Sequence, residues 1–118
     1  MDNIKYMSAA EAVKLIESGD HVYIQGSTSI PEILVEAMAD RGHELRDVTV
    51  YCAFAVGRRP SPICKPEFKD TFLVDSFFVS NAFREWIAQG YGTMTPRFLG
   101  EVPDLFRDGT CRVDVALI

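Results

Sequence analysis

The sequence predicts an α/β fold in which a mostly parallel sheet carries helices on both faces. Helical and strand-like patterns alternate along all 118 residues, and strands separated by single helices pair in parallel through right-handed crossovers rather than as hairpins. The run Val48–Phe54 is apolar except at Thr49 and more continuously so than the strand before it, which is typical of a strand covered on both faces. The length fits one domain, since domains most often have about 100–150 residues.

The first predicted element is a helix over Ser8–Ser18. Ser8 and Glu11 have the spacing of a capping box, in which each side chain accepts a hydrogen bond from the other residue's backbone N–H at the helix start. Apolar residues recur every three or four positions and form one stripe, made of Ala9, Ala12, Val13 and Ile16. Gly19 follows, where glycine commonly ends a helix.

The next pattern is a strand, a turn and a helix. His21–Gln25 is a short strand rich in β-branched and aromatic residues, and Gly26–Ser29 is a small polar turn. Pro31 suits the first turn of the following helix, and Gly42 ends that helix. One face of the helix carries Leu34, Ala37, Met38 and Arg41.

A proline-rich surface loop, Ala55–Pro66, leads to the third strand, Phe72–Val79. The loop contains the pair Arg58-Arg59, which could meet a phosphate but is more simply part of a solvated loop. Asn81 is expected to cap the next helix. The inner stripe of that helix comprises Phe83, Trp86 and Ile87.

The alternation continues to the C-terminus. We expect a short strand within Thr93–Phe98, a short helix at Glu101–Arg107 and a last strand at Val113–Ile118. The sequence stops inside this apolar strand, whereas a buried parallel strand normally leads into a loop at its carboxyl end. We therefore expect residues 1–118 to be the N-terminal domain of a longer two-domain protein. The alternative is a small domain that happens to end in a strand.

Composition argues against several classes of function. Acidic residues outnumber basic ones 17 to 12 and the net charge is -5, so we expect no nucleic-acid partner. No apolar run approaches the roughly 20 residues that span a bilayer, so we expect no membrane partner. The three cysteines form neither a disulfide framework nor a zinc spacing, which favours free thiols, no metal and a cytoplasmic location.

Two stretches at the carboxyl ends of predicted strands are candidates for binding a ligand. In the first, Gly26 allows close backbone approach and Ser27–Ser29 adds three hydroxyls, so the turn could hold an anion or an oxyanion. In the second, Arg84 offers a fork-shaped donor to a carboxylate or a phosphate. The simpler interpretations are an ordinary turn and a solvated arginine, and the residues alone leave both open.

Five stretches, taken in order, resemble one known family. They are Ser8–Asp20, His21–Ser29, Asp75–Leu99, Glu101–Pro103 and Asp114–Ile118. The markers within the third stretch are Ser76-Phe77-Phe78-Val79, Arg84, Gly90, Pro96 and Phe98-Leu99. Over nearly its whole length the chain resembles the N-terminal half of the acetyl-CoA hydrolase/transferase family, which includes 4-hydroxybutyrate CoA-transferases.

The resemblance implies the N-terminal half of a CoA-transferase-like fold. It implies an enzyme that moves CoA between an acyl-CoA and a short-chain carboxylate, of the 4-hydroxybutyrate or acetate type, and leaves transferase or hydrolase open. In such enzymes a glutamate forms an acyl-glutamyl anhydride and then a glutamyl-CoA thioester. That glutamate lies in the second half of the family's chain, so no residue here is expected to be catalytic and the 118-residue chain alone is expected to be inactive. Coenzyme A is a substrate, and no other cofactor is implied.

The resemblance also implies which residues face the substrate and what the chain associates with. The expected substrate-binding residues are Gln25, Gly26, Ser27, Asn81 and Arg84. The expected partners are the missing C-terminal domain or further copies in a homo-oligomer. The chain differs from the family at Phe83, where members commonly carry a small polar residue.

Two other functions fit parts of the pattern. A stand-alone α/β module would use the same turns to bind a small anion or a nucleotide without chemistry. A sugar-phosphate isomerase relative of the same fold would need a cluster of acidic or lysine residues near a strand end for proton abstraction, which the sequence does not show. The CoA-transferase is therefore the leading hypothesis.

Overall fold

The chain forms one five-stranded, all-parallel sheet with the strand order β4-β3-β2-β1-β5. This computed structural model describes residues 3–57 and 60–118, so the Arg58-Arg59 pair lies outside the described residues. The strands are β1 (His21–Ile24), β2 (Val48–Cys52), β3 (Phe72–Ser76), β4 (Gly92–Met94) and β5 (Val115–Leu117). The helices are α1 (Ala9–Ala12), α2 (Glu32–Asp40), α3 (Arg84–Ala88) and α4 (Val102–Arg107).

The strand order determines which face each helix covers. From β1 to β4 every strand adds to the same side of the one before, so right-handed crossovers place α2 and α3 on one face. The chain then runs back across the sheet to place β5 beside β1, so the same rule puts α4 on the opposite face. The predicted α/β fold, with a parallel sheet and helices on both faces, is confirmed.

The two faces hold separate apolar clusters of unequal size. Under α2 and α3, Met38, Phe72 and Phe83 are fully buried in the larger cluster. Under α4, a smaller cluster is made of Tyr51, Phe77, Val102, Leu105 and Cys111. Beyond that cluster the α4 face is open, since Leu73 of β3 keeps 48% of its surface exposed. The α4 side of the sheet is therefore the less protected one.

The first helix begins as predicted but ends early. The Ser8 hydroxyl accepts from the Glu11 N–H, and the Glu11 carboxylate accepts from the Ser8 N–H at 2.9 Å, so the capping box is present. After α1 the chain tightens into a 3₁₀ turn and becomes extended at Ile16. The Arg41 guanidinium donates to the Val13 and Ile16 carbonyls, which would otherwise lie near the helix end. The prediction of a helix to Ser18 is wrong because this distant side chain takes the carbonyls.

The buried face of α2 is rotated from the predicted one. The structure buries Val35, Met38 and Ala39, whereas Leu34 and Ala37 lie half-buried at the flank of the contact. A helix lying on a flat sheet buries a broad stripe, so the centre of that stripe is poorly fixed by apolar spacing alone. The helix begins at Glu32, so Pro31 stands immediately before the first turn in which it was predicted to lie.

Candidate functional site

The loops that follow β1 and β2 are locked together at the carboxyl edge of the sheet, where α/β proteins place ligands. A Cβ added at Gly26 would lie 2.6 Å from the Phe54 carbonyl oxygen. The Ser27 N–H donates to that same oxygen, and Ser27 adopts a left-handed φ of 59° while pairing with Ala55. Glycine at position 26 is therefore required by close backbone contact.

The first group of predicted site residues lies on this locked turn. The Gln25 N–H donates to the Leu117 carbonyl at 2.9 Å, and the Ser27 N–H is held by Phe54. These two amides are therefore occupied, and the side chains of Gln25 and Ser27 are the groups available to a ligand. That Gln25, Gly26 and Ser27 bind substrate stays a prediction.

The second group lies after β3. Asn81 and Arg84 are exposed and share a cavity of about 260 Å³. Asn81 caps no helix, contrary to prediction, because α3 begins at Arg84. At the start of α3 the Ser80 carbonyl instead accepts from the N–H groups of Phe83 and Arg84, at 3.2 and 3.0 Å. Gln25, Gly26 and Ser27 do not line this cavity, so the structure separates the two predicted groups.

A larger cavity, of about 340 Å³, lies at the carboxyl ends of β2, β3 and β4 and was not predicted. Its walls are Ala53, Phe54, Phe77, Phe78, Arg97, Leu99 and Val102. The rings of Phe54 and Phe78 pack edge to face with 5.1 Å between their centroids. Among the described residues that line the cavity, Arg97 is the one that carries a charge. An apolar cavity with one cation suits a short hydrocarbon group that carries a negative charge.

Side chains that point alternately inward and outward along the extended chain after β3 form one wall of this cavity. Phe77 turns inward to stack on Tyr51, with 6.0 Å between ring centroids, and its N–H donates to the Cys52 carbonyl. The next residue, Phe78, therefore points outward. The signal that could have revealed the cavity is that carboxyl ends of neighbouring parallel strands converge, which groups the residues after β2, β3 and β4.

A polar cluster lies next to the cavity on the α4 face. Burial raises the pKa of the Asp75 carboxyl, and the Thr95 hydroxyl, which donates to its oxygens at 2.9 and 3.1 Å, opposes that shift. Burial also raises the pKa of the Tyr51 phenol to about 12, and the neighbouring Cys111 adds to this shift. Near neutral pH this phenol therefore stays protonated.

The three thiols are buried, and none is activated as a nucleophile. Burial raises the pKa of Cys52 to about 11 and that of Cys64 to about 12, and it also raises the pKa of Cys111. A thiol attacks as its thiolate, so these groups are unreactive near neutral pH. Within residues 3–57 and 60–118, no three His, Cys, Asp or Glu side chains are placed to hold a metal ion. The helices of these same residues are too short or too polar to cross a membrane.

We expect Asp75→Asn to stabilise the protein at neutral pH and to change its stability little in acid. Because burial raises the pKa of Asp75, the folded state binds the proton more tightly than the unfolded chain, and ionisation opposes folding. This cost is absent below the ordinary aspartate pKa of about 3.9 and grows as the pH rises through the raised value. Urea unfolding of the unmodified protein and of Asp75→Asn at several pH values measures the difference in their free energies of unfolding.

Asp114→Asn is the matched control, with the opposite sign. Asp114 accepts from the His21 N–H at 2.8 Å and pairs with Arg112, and these contacts lower its pKa. Its carboxylate therefore favours folding above the ordinary pKa, so this replacement lowers stability at neutral pH and the loss disappears in acid. The same pH profile for both variants would contradict the role assigned to burial at Asp75.

Comparison with known proteins shows one consistent similarity. The family model for the acetyl-CoA hydrolase/transferase N-terminal domain matches residues 3–118. The chain is 30% identical to the succinyl-CoA:cyclohexane-1-carboxylate CoA transferase of Geobacter metallireducens over 108 residues, which are 88% of this chain and 23% of that protein. It is also 30% identical to the butyryl-CoA:acetate CoA-transferase of Anaerostipes caccae over 115 residues, which are 97% of this chain and 25% of that protein.

The solved structures agree at the level of the fold. The crystal structure of RipA from Yersinia pestis matches with a TM-score of 0.79 at 24% identity, over 93% of this chain and 27% of that one. The chain therefore spans about a quarter of the length of the proteins that it matches.

Proposed function

Since this chain belongs to the acetyl-CoA hydrolase/transferase N-terminal domain family, we propose that it forms the N-terminal part of a CoA-transferase acting on an acyl-CoA and a short-chain carboxylate. The match over residues 3–118 carries the proposal. Two relatives at 30% identity, both named as CoA-transferases, support it. Another relative is named 4-hydroxybutyrate coenzyme A transferase, and we propose a 4-hydroxybutyrate or acetate type of substrate here.

The cavity of about 340 Å³ supports binding of the acyl group. Its aromatic and aliphatic walls offer a short hydrocarbon chain an apolar environment, and Arg97 is the polar side chain in the lining. We propose that the polar side chains of Gln25, Ser27, Asn81 and Arg84, together with the close approach at Gly26, orient the rest of the substrate. In this arrangement the domain binds and orients, and it supplies no nucleophile.

The covalent step is assigned to a glutamate outside this domain. Its carboxylate attacks the thioester carbonyl and the C–S bond breaks. CoA departs as the thiolate, and the acyl group and the glutamate are then joined as an acyl-glutamyl anhydride. The thiolate then attacks the glutamyl carbonyl, which releases the acyl group as a carboxylate and leaves a glutamyl-CoA thioester. The second carboxylate takes CoA by the reverse of these two steps. The buried, protonated thiols of this chain give no competing nucleophile.

Exposed apolar side chains beside the cavity support association with further polypeptide. Phe98 and Leu99 keep 81% and 79% of their surface exposed, and Phe78 keeps 64%. Large apolar groups that cluster on a surface mark interaction sites more often than single ones do. We propose that a C-terminal domain covers them, that the assembled enzyme is a homo-oligomer, and that it is cytoplasmic.

A complementation assay tests the proposal. The 118-residue chain alone, supplied with butyryl-CoA and acetate, should form no acetyl-CoA. The same chain fused to the unmatched C-terminal part of the Anaerostipes caccae enzyme should form it. The control is that C-terminal part without any N-terminal domain, which should be inactive. Acetyl-CoA is measured by mass spectrometry.

Turnover by the isolated chain would contradict the proposal, as would a folded but inactive fusion. Calorimetric titration of the isolated chain with ATP and with a sugar phosphate tests the alternative, a stand-alone binding module. Tight binding of either compound would favour that alternative.

A further inference from the structure

We propose that Asp75 and Thr95 are positioning residues for the cavity of about 340 Å³, because the bond between their side chains holds residues 96–99 in place as part of its wall. This inference rests on the proposed function, in which the cavity receives the acyl group. It assigns a role to two residues outside the five predicted substrate-binding positions. Neither of the two lines the cavity itself.

The strand register brings the two side chains to one face of the sheet. Asp75 of β3 is paired with Thr93 of β4, so these two residues share a face. Side chains alternate between the faces along a strand, so Thr95, two residues further on, lies on that face too. Its hydroxyl donates to both carboxylate oxygens of Asp75, at 2.9 and 3.1 Å, and both residues are half-buried. A hydrogen bond to a carboxylate is stronger than one between neutral groups.

This bond lies at the point where the sheet ends. The strand β4 ends at Met94, and the Thr95 N–H then makes one more bond to β3, to the Ser76 carbonyl at 3.0 Å. The next residue, Pro96, has no N–H with which to continue the ladder. The Thr95 hydroxyl therefore adds a side-chain bond where backbone pairing stops.

Residues 96–99 bury little of their own surface. Two of them line the cavity, yet all four are exposed. At their far end, the Phe98 N–H donates to the Glu101 carboxylate at 3.3 Å, and Val102 is buried in the smaller apolar cluster. A segment with few buried apolar contacts opens at a low free energy unless its ends are held. The bond at Thr95 anchors the end next to the sheet.

The Asp75 carboxylate is present where it opposes folding. Burial raises the pKa of Asp75, so its ionisation lowers stability at neutral pH. The Tyr51 phenol and the Cys111 thiol on the same face also have raised pKa values, so they stay neutral and offer no opposite charge. A group that lowers stability while it fixes a cavity wall is typical of a functional position.

Replacement of Thr95 by valine removes the bond and keeps the shape of the side chain. We expect Thr95→Val to lower the ¹H–¹⁵N heteronuclear NOE at Arg97, Phe98 and Leu99, because the backbone there becomes more mobile. N-ethylbutyramide, which carries an amide in place of the thioester, probes the cavity. We expect the variant to bind it about tenfold more weakly, since apparent affinity falls with the fraction of molecules whose wall is in place. The amide chemical shift of Phe78 follows the titration.

Further variants separate positioning from stability. Thr95→Ser keeps the hydroxyl and should restore both the NOE values and the affinity. Thr93→Val makes the same chemical change at the exposed register partner of Asp75 and should alter neither. Asp75→Val removes the acceptor and should match Thr95→Val. The double variant should lose no more affinity than either single variant, because two residues that act through one shared bond are not additive.

Unchanged NOE values and affinity in Thr95→Val overturn the inference, as do additive losses of affinity in the double variant. A lower free energy of unfolding in urea with unchanged affinity also overturns it, because the bond would then serve stability alone. Failure of the unmodified chain to bind N-ethylbutyramide has the same consequence. These measurements on the 118-residue chain are independent of turnover, so an inactive fusion contradicts only the CoA-transferase proposal.

Discussion

Phe83→Ala lowers the free energy of unfolding by about 3–5 kcal/mol, the usual cost of removing a buried phenylalanine ring. Phe83 is fully buried between the sheet and α3, in the larger apolar cluster. Its backbone starts the helix, with its N–H bonded to the Ser80 carbonyl and its own carbonyl accepting from Ile87. The ring therefore holds the turn that presents Asn81 and Arg84.

Urea denaturation measures this effect, with Phe98→Ala as the matched control. Phe98 is 81% exposed, so its removal should change stability by less than about 0.5 kcal/mol. Similar losses for both variants would show that the ring at position 83 is not a core group. In the folded fraction of the Phe83→Ala variant, we expect the amide chemical shifts to differ most from those of the unmodified protein at Asn81 and Arg84.

Gly26→Ala lowers the free energy of unfolding by about 1–3 kcal/mol, as overpacking of a rigid contact does. The new methyl carbon would lie 2.6 Å from the Phe54 carbonyl oxygen and 3.2 Å from the Phe54 nitrogen. These are backbone atoms, and the bond from the Ser27 N–H holds the same carbonyl in place. Relief of the clash therefore requires the β1 and β2 loops to separate, which moves Phe54 out of the cavity wall.

Gly100→Ala is the control, because a Cβ at that position meets no atom within 4 Å. We expect it to be neutral or slightly stabilising. Thermal unfolding compares the two variants, and chemical shifts of Phe54 and Ala55 report the loop movement. If Gly26→Ala unfolds like the unmodified protein with unchanged shifts, the close contact does not constrain the loops.

Helix starts and ends that depend on neighbouring residues could be predicted from the sequence. The Ser8 and Glu11 side chains form the predicted capping box, and Gly19 and Gly90 adopt left-handed φ angles of 86° and 85° after their helical segments. The end of the first helix has a distant cause, since the Arg41 side chain, which follows the C-terminal end of α2, donates to the Val13 carbonyl. No pattern within Ser8–Ser18 contains that information.

The candidate site is less predictable for the same reason. Asn81 has the residue type of a cap, but the helix starts at Arg84, and the Ser80 carbonyl accepts from the N–H groups of Phe83 and Arg84. The larger cavity joins Phe54, Phe78 and Arg97, which follow three different strands. Alternation of helices and strands predicts parallel pairing but leaves the strand order open, and that order decides which loops meet.

The place of β5 beside β1 has a consequence for how the protein acquires its structure. Pairing between β2, β3 and β4 joins strands that are consecutive in the chain, but the contact from His21 to Asp114 joins residues 93 positions apart. Closing so long a loop is slow compared with local pairing. During synthesis one border of β1 therefore stays unpaired until Val115–Leu117 leaves the ribosome, and this is the interval in which a nascent chain is most exposed to misassembly and to chaperones.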